Sequence, residues 1–278
     1  MRKKILLILP LLLFAITQQL QAVTCNWGYC NSVVNDQFGS VNKGKGAIYI
    51  PAEISKMYEG KQLSYVRVGL AAKAKTVKVF VTKDLNGEYI TTRTQRDQLS
   101  GFNEIKFAEP WTIDGEGFYI GYEFESDDYA LGASTMYNEN ACWADLGDGW
   151  KNYAVEDHAL ALSIQAKISG DDLPKDYWLF CSNDILAEAG KPFNINFSIR
   201  NMGTAIGRRF QVAYSIDGGE EVTEEIKQTL GQDMEKDFSI AHPGYASLGK
   251  HSVQIRLVSV NGEADAYEGN NVANSTIR

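Results

Sequence analysis

"GFYIGYEFE", residues 117–125, decides the fold class. Its apolar side chains fall on every second position: Phe118, Ile120, Tyr122 and Phe124. A strand sends alternate side chains to opposite faces, whereas a helix repeats every 3.6 residues. The spacing therefore predicts a strand with one buried side. The pattern extends in both directions. "TVKVFVT", residues 76–82, aligns Val77, Val79 and Val81, and "ALALSIQAKI", residues 159–168, aligns Leu160, Leu162, Ile164, Ala166 and Ile168. The turn signals Asn86-Gly87, Asp114-Gly115 and Asp148-Gly149 punctuate these runs. Helical periodicity is scarce, and one short turn is expected in "IPAEISKMYEGK", residues 50–61.

"SGDDLPKDY", residues 169–177, interrupts the alternation with Gly, Pro and three acids, which predicts a linker. Beyond it the pattern resumes. "FNINFSIRN" points Phe193, Ile195, Phe197 and Ile199 one way. "RFQVAYSIDGGEEV" aligns Phe210, Val212, Tyr214 and Ile216 and turns at Asp217-Gly218-Gly219. "HSVQIRLVSVNG" supplies Val253, Ile255 and Leu257. The expectation is an all-β chain of two antiparallel β-sandwiches. A jelly-roll-like sandwich spans 23–168. A linker covers 169–177, and an immunoglobulin-like sandwich of about seven short strands spans 178–278.

Arg2, Lys3 and Lys4 precede an apolar run from Ile5 to Ile16, and a small residue follows at Ala22. That is the layout of a signal peptide over residues 1–22, so export is expected, to the periplasm, the outer membrane or the outside. The run falls short of the roughly 20 residues a membrane-spanning helix needs. No transmembrane span is expected in the mature chain. The whole chain carries −8, and its first 22 residues hold three basic side chains and no acid, which leaves −11 on the remainder. Such a surface repels phosphate backbones, so nucleic acid is excluded as a partner.

All four cysteines, Cys25, Cys30, Cys142 and Cys181, lie in the exported part, and an even count there predicts disulfides. "CNWGYC", residues 25–30, has four residues between its cysteines. Catalytic dithiols favour Cys-x-x-Cys at a helix N-terminus, which lowers the thiol pKa. Lipid attachment at Cys25 fits poorly, because Val23-Thr24 precedes it instead of small residues. Four cysteines allow three pairings. Cys25–Cys30 with Cys142–Cys181 is the simplest, and the second bond would restrict the hinge at the linker.

The second half resembles the cell-adhesion-related, immunoglobulin-like bacterial domains abbreviated CARDB. The resemblance rests on "IRNMGTAIGRRFQVAYSIDGG" and "LGKHSVQIRLVSVNGEADAYEGNN". Asn201-Met202-Gly203 matches an N-x-G after an inner strand, Gly249 to Val253 matches a G-x-H-x-V strand, and Asn270-Asn271 matches an N-N pair before the last strand. The first half is similar to jelly-roll modules of exported Bacteroidetes proteins, including gingipain-type adhesin repeats, through "GFNEIKFAEPWTIDGEGFYIGYEFES" and "YALGAS". The pair of modules also resembles the start of outer-membrane-associated proteins that continue into a thioredoxin-like domain. Here the sequence ends at Arg278 after the last expected strand, without a Cys-x-x-Cys motif. The resemblance thus implies no catalytic residue, and no C-terminal sorting domain is expected.

The residues themselves offer little catalytic machinery. His158, His242 and His251 are not at metal-ligand spacing. A G-x-S-x-G nucleophile elbow and a phosphate-cradling glycine loop are both absent. Two acid-rich loops, with Glu125, Asp127 and Asp128 in one and Asp145 and Asp148 in the other, offer oxygen ligands of the kind calcium takes. Ordinary solvated turns explain the same acids. No other cofactor is expected. Trp143, Trp150 and Tyr153 in "CWADLGDGWKNY" form a ligand-contact candidate, by stacking on a sugar or a protein. The bland alternative is local packing around Cys142. The expected function is non-enzymatic binding or adhesion to a glycan or protein at the cell surface. A structural or assembly module of the envelope is the alternative, and a glycoside hydrolase with paired carboxylates a remote one.

Overall fold

The structure, a computed structural model, describes residues 22–155, 160–181, 184–244 and 249–278. The expected signal peptide and His158 lie outside the described residues. Nearly everything described is antiparallel sheet. A four-stranded sheet runs in the order Val23–Trp27, Ile164–Gly170, Gln62–Leu70, Gly101–Thr112. A six-stranded sheet runs Trp150–Asn152, Trp143–Asp145, Lys43–Ile50, Phe118–Ser126, Ala74–Thr82, Thr91–Gln98. A small sheet of Ala161–Leu162, Gly132–Ser134 and Asp36–Gln37 adjoins them. The expected helical turn is Ala52–Met57, which buries Ile54.

The alternation read in "GFYIGYEFE" is real. Phe118, Ile120, Tyr122 and Phe124 are all buried, as are Val77, Val79 and Val81 on the neighbouring strand. They meet Val66, Val68, Ile105, Phe107, Ile164 and Ala166 of the four-stranded sheet in one core. Each such side chain contributes roughly 1.5–3 kcal/mol by leaving water. "ALALSIQAKI" is interrupted at Ser163: Ala161–Leu162 joins the small sheet, and Ile164–Gly170 joins the four-stranded one.

The second half packs a three-stranded sheet, Tyr177–Phe180, Phe193–Asn201 and Glu235–His242, against a four-stranded one. The latter runs Val222–Leu230, Gly207–Ile216, His251–Val260, Val272–Ile277. Ile195, Phe197, Ile199, Phe210, Val212, Ile255 and Leu257 fill the space between. The turn at Asp217-Gly218 holds positive φ at both residues, and Gly219 N–H bonds Ile216 O at 2.9 Å. That is the mirror-image turn whose twist suits a hairpin.

Ser169 and Gly170 still belong to a strand, and Tyr177 opens the next, so residues 171–176 join the two halves. This connection is seated rather than free. Asp176 is fully buried. Its carboxylate accepts Trp27 Nε1–H at 3.2 Å and Asn270 Nδ2–H at 2.8 Å, and its carbonyl accepts Met202 and Gly203 N–H. Asn26 Nδ2 donates to Asp233 at 2.8 Å, and the buried Arg200 guanidinium donates to Cys30 O. Met202, Gly203 and Asn270 therefore clamp the connection.

The expected disulfides are not formed: all four cysteines are free thiols. Cys25 and Cys30 sit in the first core, where the Cys30 thiol is directed at Ile164 O at 3.6 Å. Cys142 lies in that same core, whereas Cys181 packs against the second, near Asn196 O. Spacing along the chain therefore did not translate into bonds between the cysteines. Burial pushes the Cys25 and Cys142 thiols up to about 12 and Cys181 up to about 11.

Candidate ligand-binding face

The inner face of the six-stranded sheet is core, and the same alternation turns a second set of side chains outward. Register places them in straight rows. Trp150 pairs with Asp145, Asp145 with Lys45, Lys45 with Glu123, Glu123 with Lys78 and Lys78 with Thr94. One row thus crosses all six strands with alternating charge. The next row is Asn152, Trp143, Ala47, Gly121, Phe80 and Thr92. Its middle is small: a Cβ on Gly121 would meet Gly46 O at 2.3 Å and the Phe80 ring at 2.7 Å. Alongside the charged row lies a groove of about 500 Å³ bordered by Lys43, Lys45, Lys78, Glu123, Glu125 and Asp145, to which Trp143, Trp150, Phe80 and Tyr89 do not contribute.

Each polar group is positioned by a neighbour. Tyr89 O–H donates to Glu123 at 2.7 Å, and its ring stacks on Phe80 at 4.4 Å and 9°. Lys78 Nζ lies 3.5 Å from Glu123 and 4.7 Å from the Tyr89 ring centre. Lys45 lies 3.8 Å from Asp145 and 5.8 Å from the Trp150 ring centre. Burial and then Glu123 raise the Tyr89 hydroxyl pKa, so it stays a donor. Asp145 accepts the N–H groups of Gly147 and Gly149 at 3.0 and 3.1 Å, which fixes the turn ahead of Trp150. Trp143 packs edge-on against Tyr119 at 5.6 Å, and its buried Nε1–H has no partner.

Of the three aromatic candidates, Trp143 and Trp150 share this face. Tyr153 does not: it packs on Phe38 at 5.2 Å towards the first core. Three positions separate Trp150 from Tyr153, and an odd step along a strand reverses the face. The acids expected to hold calcium disperse. Glu125 and Asp145 border the groove, Asp127 pairs with Lys75, Asp148 pairs with Lys151, and Asp128 caps Tyr129 N–H. No group of three or more His, Cys, Asp or Glu among the described residues could hold a metal. His251 bonds Asp217 at 2.7 Å, and His242 packs on Phe193. Tyr89, Phe80, Lys45, Lys78 and Glu123 were not singled out from the sequence. The signal was the outward half of the strands whose inward half was read.

The geometry defines an all-β protein of face-to-face antiparallel sheets with a charged groove and a separate aromatic cluster on one outer face. No protein-family model matches the chain. No curated protein sequence matches it either. Among solved structures, a CARDB domain from Pyrococcus furiosus is similar at 18% identity, over 37% of this chain and 87% of that one, with TM-score 0.29. A β-glucuronidase from Bacteroides uniformis is similar at 9% identity, over 84% of this chain and 26% of that one, with TM-score 0.29. The GH2 β-galacturonidase from Eisenbergiella tayi is similar at 10%, over 85% and 41%, with TM-score 0.27. No helix among the described residues is long and apolar enough to cross a membrane.

Proposed function

We propose that this chain is an exported, non-enzymatic binding or adhesion protein that holds a glycan on the outer face of its six-stranded sheet. The observation that carries this is the in-register row Trp150, Asp145, Lys45, Glu123, Lys78. It offers a stacking ring and alternating donors and acceptors in one line. Sugars are recognised by that combination, because their rings have apolar faces and hydroxyl edges. The signal-like first 22 residues and the resemblance of both halves to adhesin-type modules support export and adhesion. Glu123 and Asp145 are each tied to a lysine of the row, which supports a ladder of fixed polar contacts.

A glycan array followed by calorimetry tests the proposal. Trp150→Ala and Glu123→Gln should each weaken the strongest hit about tenfold or more, as loss of a stacking ring or a charged hydrogen bond does. A hit that neither substitution weakens would place recognition elsewhere.

A further inference from the structure

A second recess lies where the two halves meet. It measures about 250 Å³. "CNWGYC" supplies Trp27 and Tyr29 to it, the short helix supplies Glu53, and the 137–140 loop supplies Glu139. Trp178 and Tyr267 close it from the second half. Trp27 meets Tyr29 edge-on at 4.9 Å. Tyr267 O–H donates to Glu53 Oε1 at 3.1 Å, across 214 residues of sequence. No lysine, arginine or histidine is among the lining residues.

Two walls of the recess are held by the same buried group. Asp176 accepts from Trp27 Nε1 and from Asn270 Nδ2, which fixes the indole and the amide. Asn270 therefore keeps its carbonyl end, and that Oδ1 is buried with no partner. An unpaired buried acceptor costs free energy unless a donor arrives. The recess thus combines five aromatic rings (Trp27, Tyr29, Tyr137, Trp178 and Tyr267), two carboxylates and an unsatisfied acceptor, with no positive charge of its own.

From this the geometry points to a binding site for an organic ammonium group in the cleft between the two halves. Aromatic faces attract cations through their quadrupoles, and carboxylates add direct charge pairing. The volume lies below the roughly 300–1,000 Å³ of drug-sized sites, so it suits one ammonium-bearing side chain or small amine, not a polymer. The recess and the glycan groove share no lining residue.

Calorimetry and tryptophan fluorescence at low salt test it, with Nα-acetyl-lysine N-methylamide, choline and the neutral Nα-acetyl-norleucine N-methylamide as probes. At least one cation should bind, with the norleucine compound about tenfold weaker or worse. Preference for the lysine compound identifies a protein lysine as the ligand, and preference for choline identifies a small quaternary ammonium compound. Glu53→Gln and Glu139→Gln together should weaken the cation about tenfold while leaving the melting temperature unchanged. If the double variant does not fold, the wild type's salt dependence substitutes, since charge pairing at a cleft weakens as salt is raised. Equal binding of the norleucine compound, salt-independent binding, or no cation binding at about 10 mM would overturn the assignment.

Discussion

A side chain at Gly203 would meet the carbonyl oxygen of Pro174 at 2.6 Å. The same Cβ would lie 2.9 Å from the Asp176 amide nitrogen. Both contacts are backbone, so neither moves cheaply. The N-x-G motif in the second half is thus a seat for the connection between the two halves. Gly203→Ala should cost about 1–3 kcal/mol, the usual range for overpacking. Urea denaturation measures it, and an unchanged midpoint would show that the connection does not rest there.

Two acids at this junction, the buried Asp176 and the half-buried Asp265, make stability depend on pH. Burial raises the Asp176 carboxyl to about 6. Burial, then the neighbouring Asp176, raises Asp265 to about 7. Between the unfolded value near 4 and these folded values, the native state holds protons that the unfolded chain has released. Stability from these groups is full below about pH 4 and is lost as pH rises through about 7. Melting temperatures between pH 4 and 8 should show this fall superimposed on other titrations. Asp265→Asn should flatten it, and an equally steep fall in the variant would contradict the assignment.

The sulfurs provide a chemical check on the fold. Cys25, Cys30 and Cys142 are buried thiols held protonated, and a thiolate is the reactive form. Native protein treated with a thiol reagent at pH 8 should therefore label at Cys181 first, since that residue alone of the four is partly exposed. Unfolding in denaturant without reductant should expose all four. Fewer than four would reveal a disulfide.

Much of the architecture was legible because burial on one side of a sheet imposes period two on a strand. Phe118, Ile120, Tyr122 and Phe124, and Val77, Val79 and Val81, are buried as that rule requires, while Gly121 and Phe80 on the outward side are buried as well. The rule works over seven or nine residues and needs no partner strand. It also located the hairpin at Asp217-Gly218, where backbone φ is positive. The same arithmetic covers the outward residues, so Lys78 and Glu123 were readable as exposed but not as neighbours. Tyr153 was grouped with Trp150 by proximity in the chain, although three steps along extended backbone put it on the opposite face.

The chain's own order of residues determined that it is all-β, where its strands run, which side chains are inward and where its turns fall, because those follow from local geometry. Tertiary structure alone decided which strands are neighbours. That brought Trp150, Asp145, Lys45, Glu123 and Lys78 into one row from four separate segments. It also left the four cysteines as free thiols and joined Trp27 and Tyr29 to Tyr267 across the junction. Strand pairing between distant segments is set by the packing of whole sheets, and no stretch of sequence carries that information by itself.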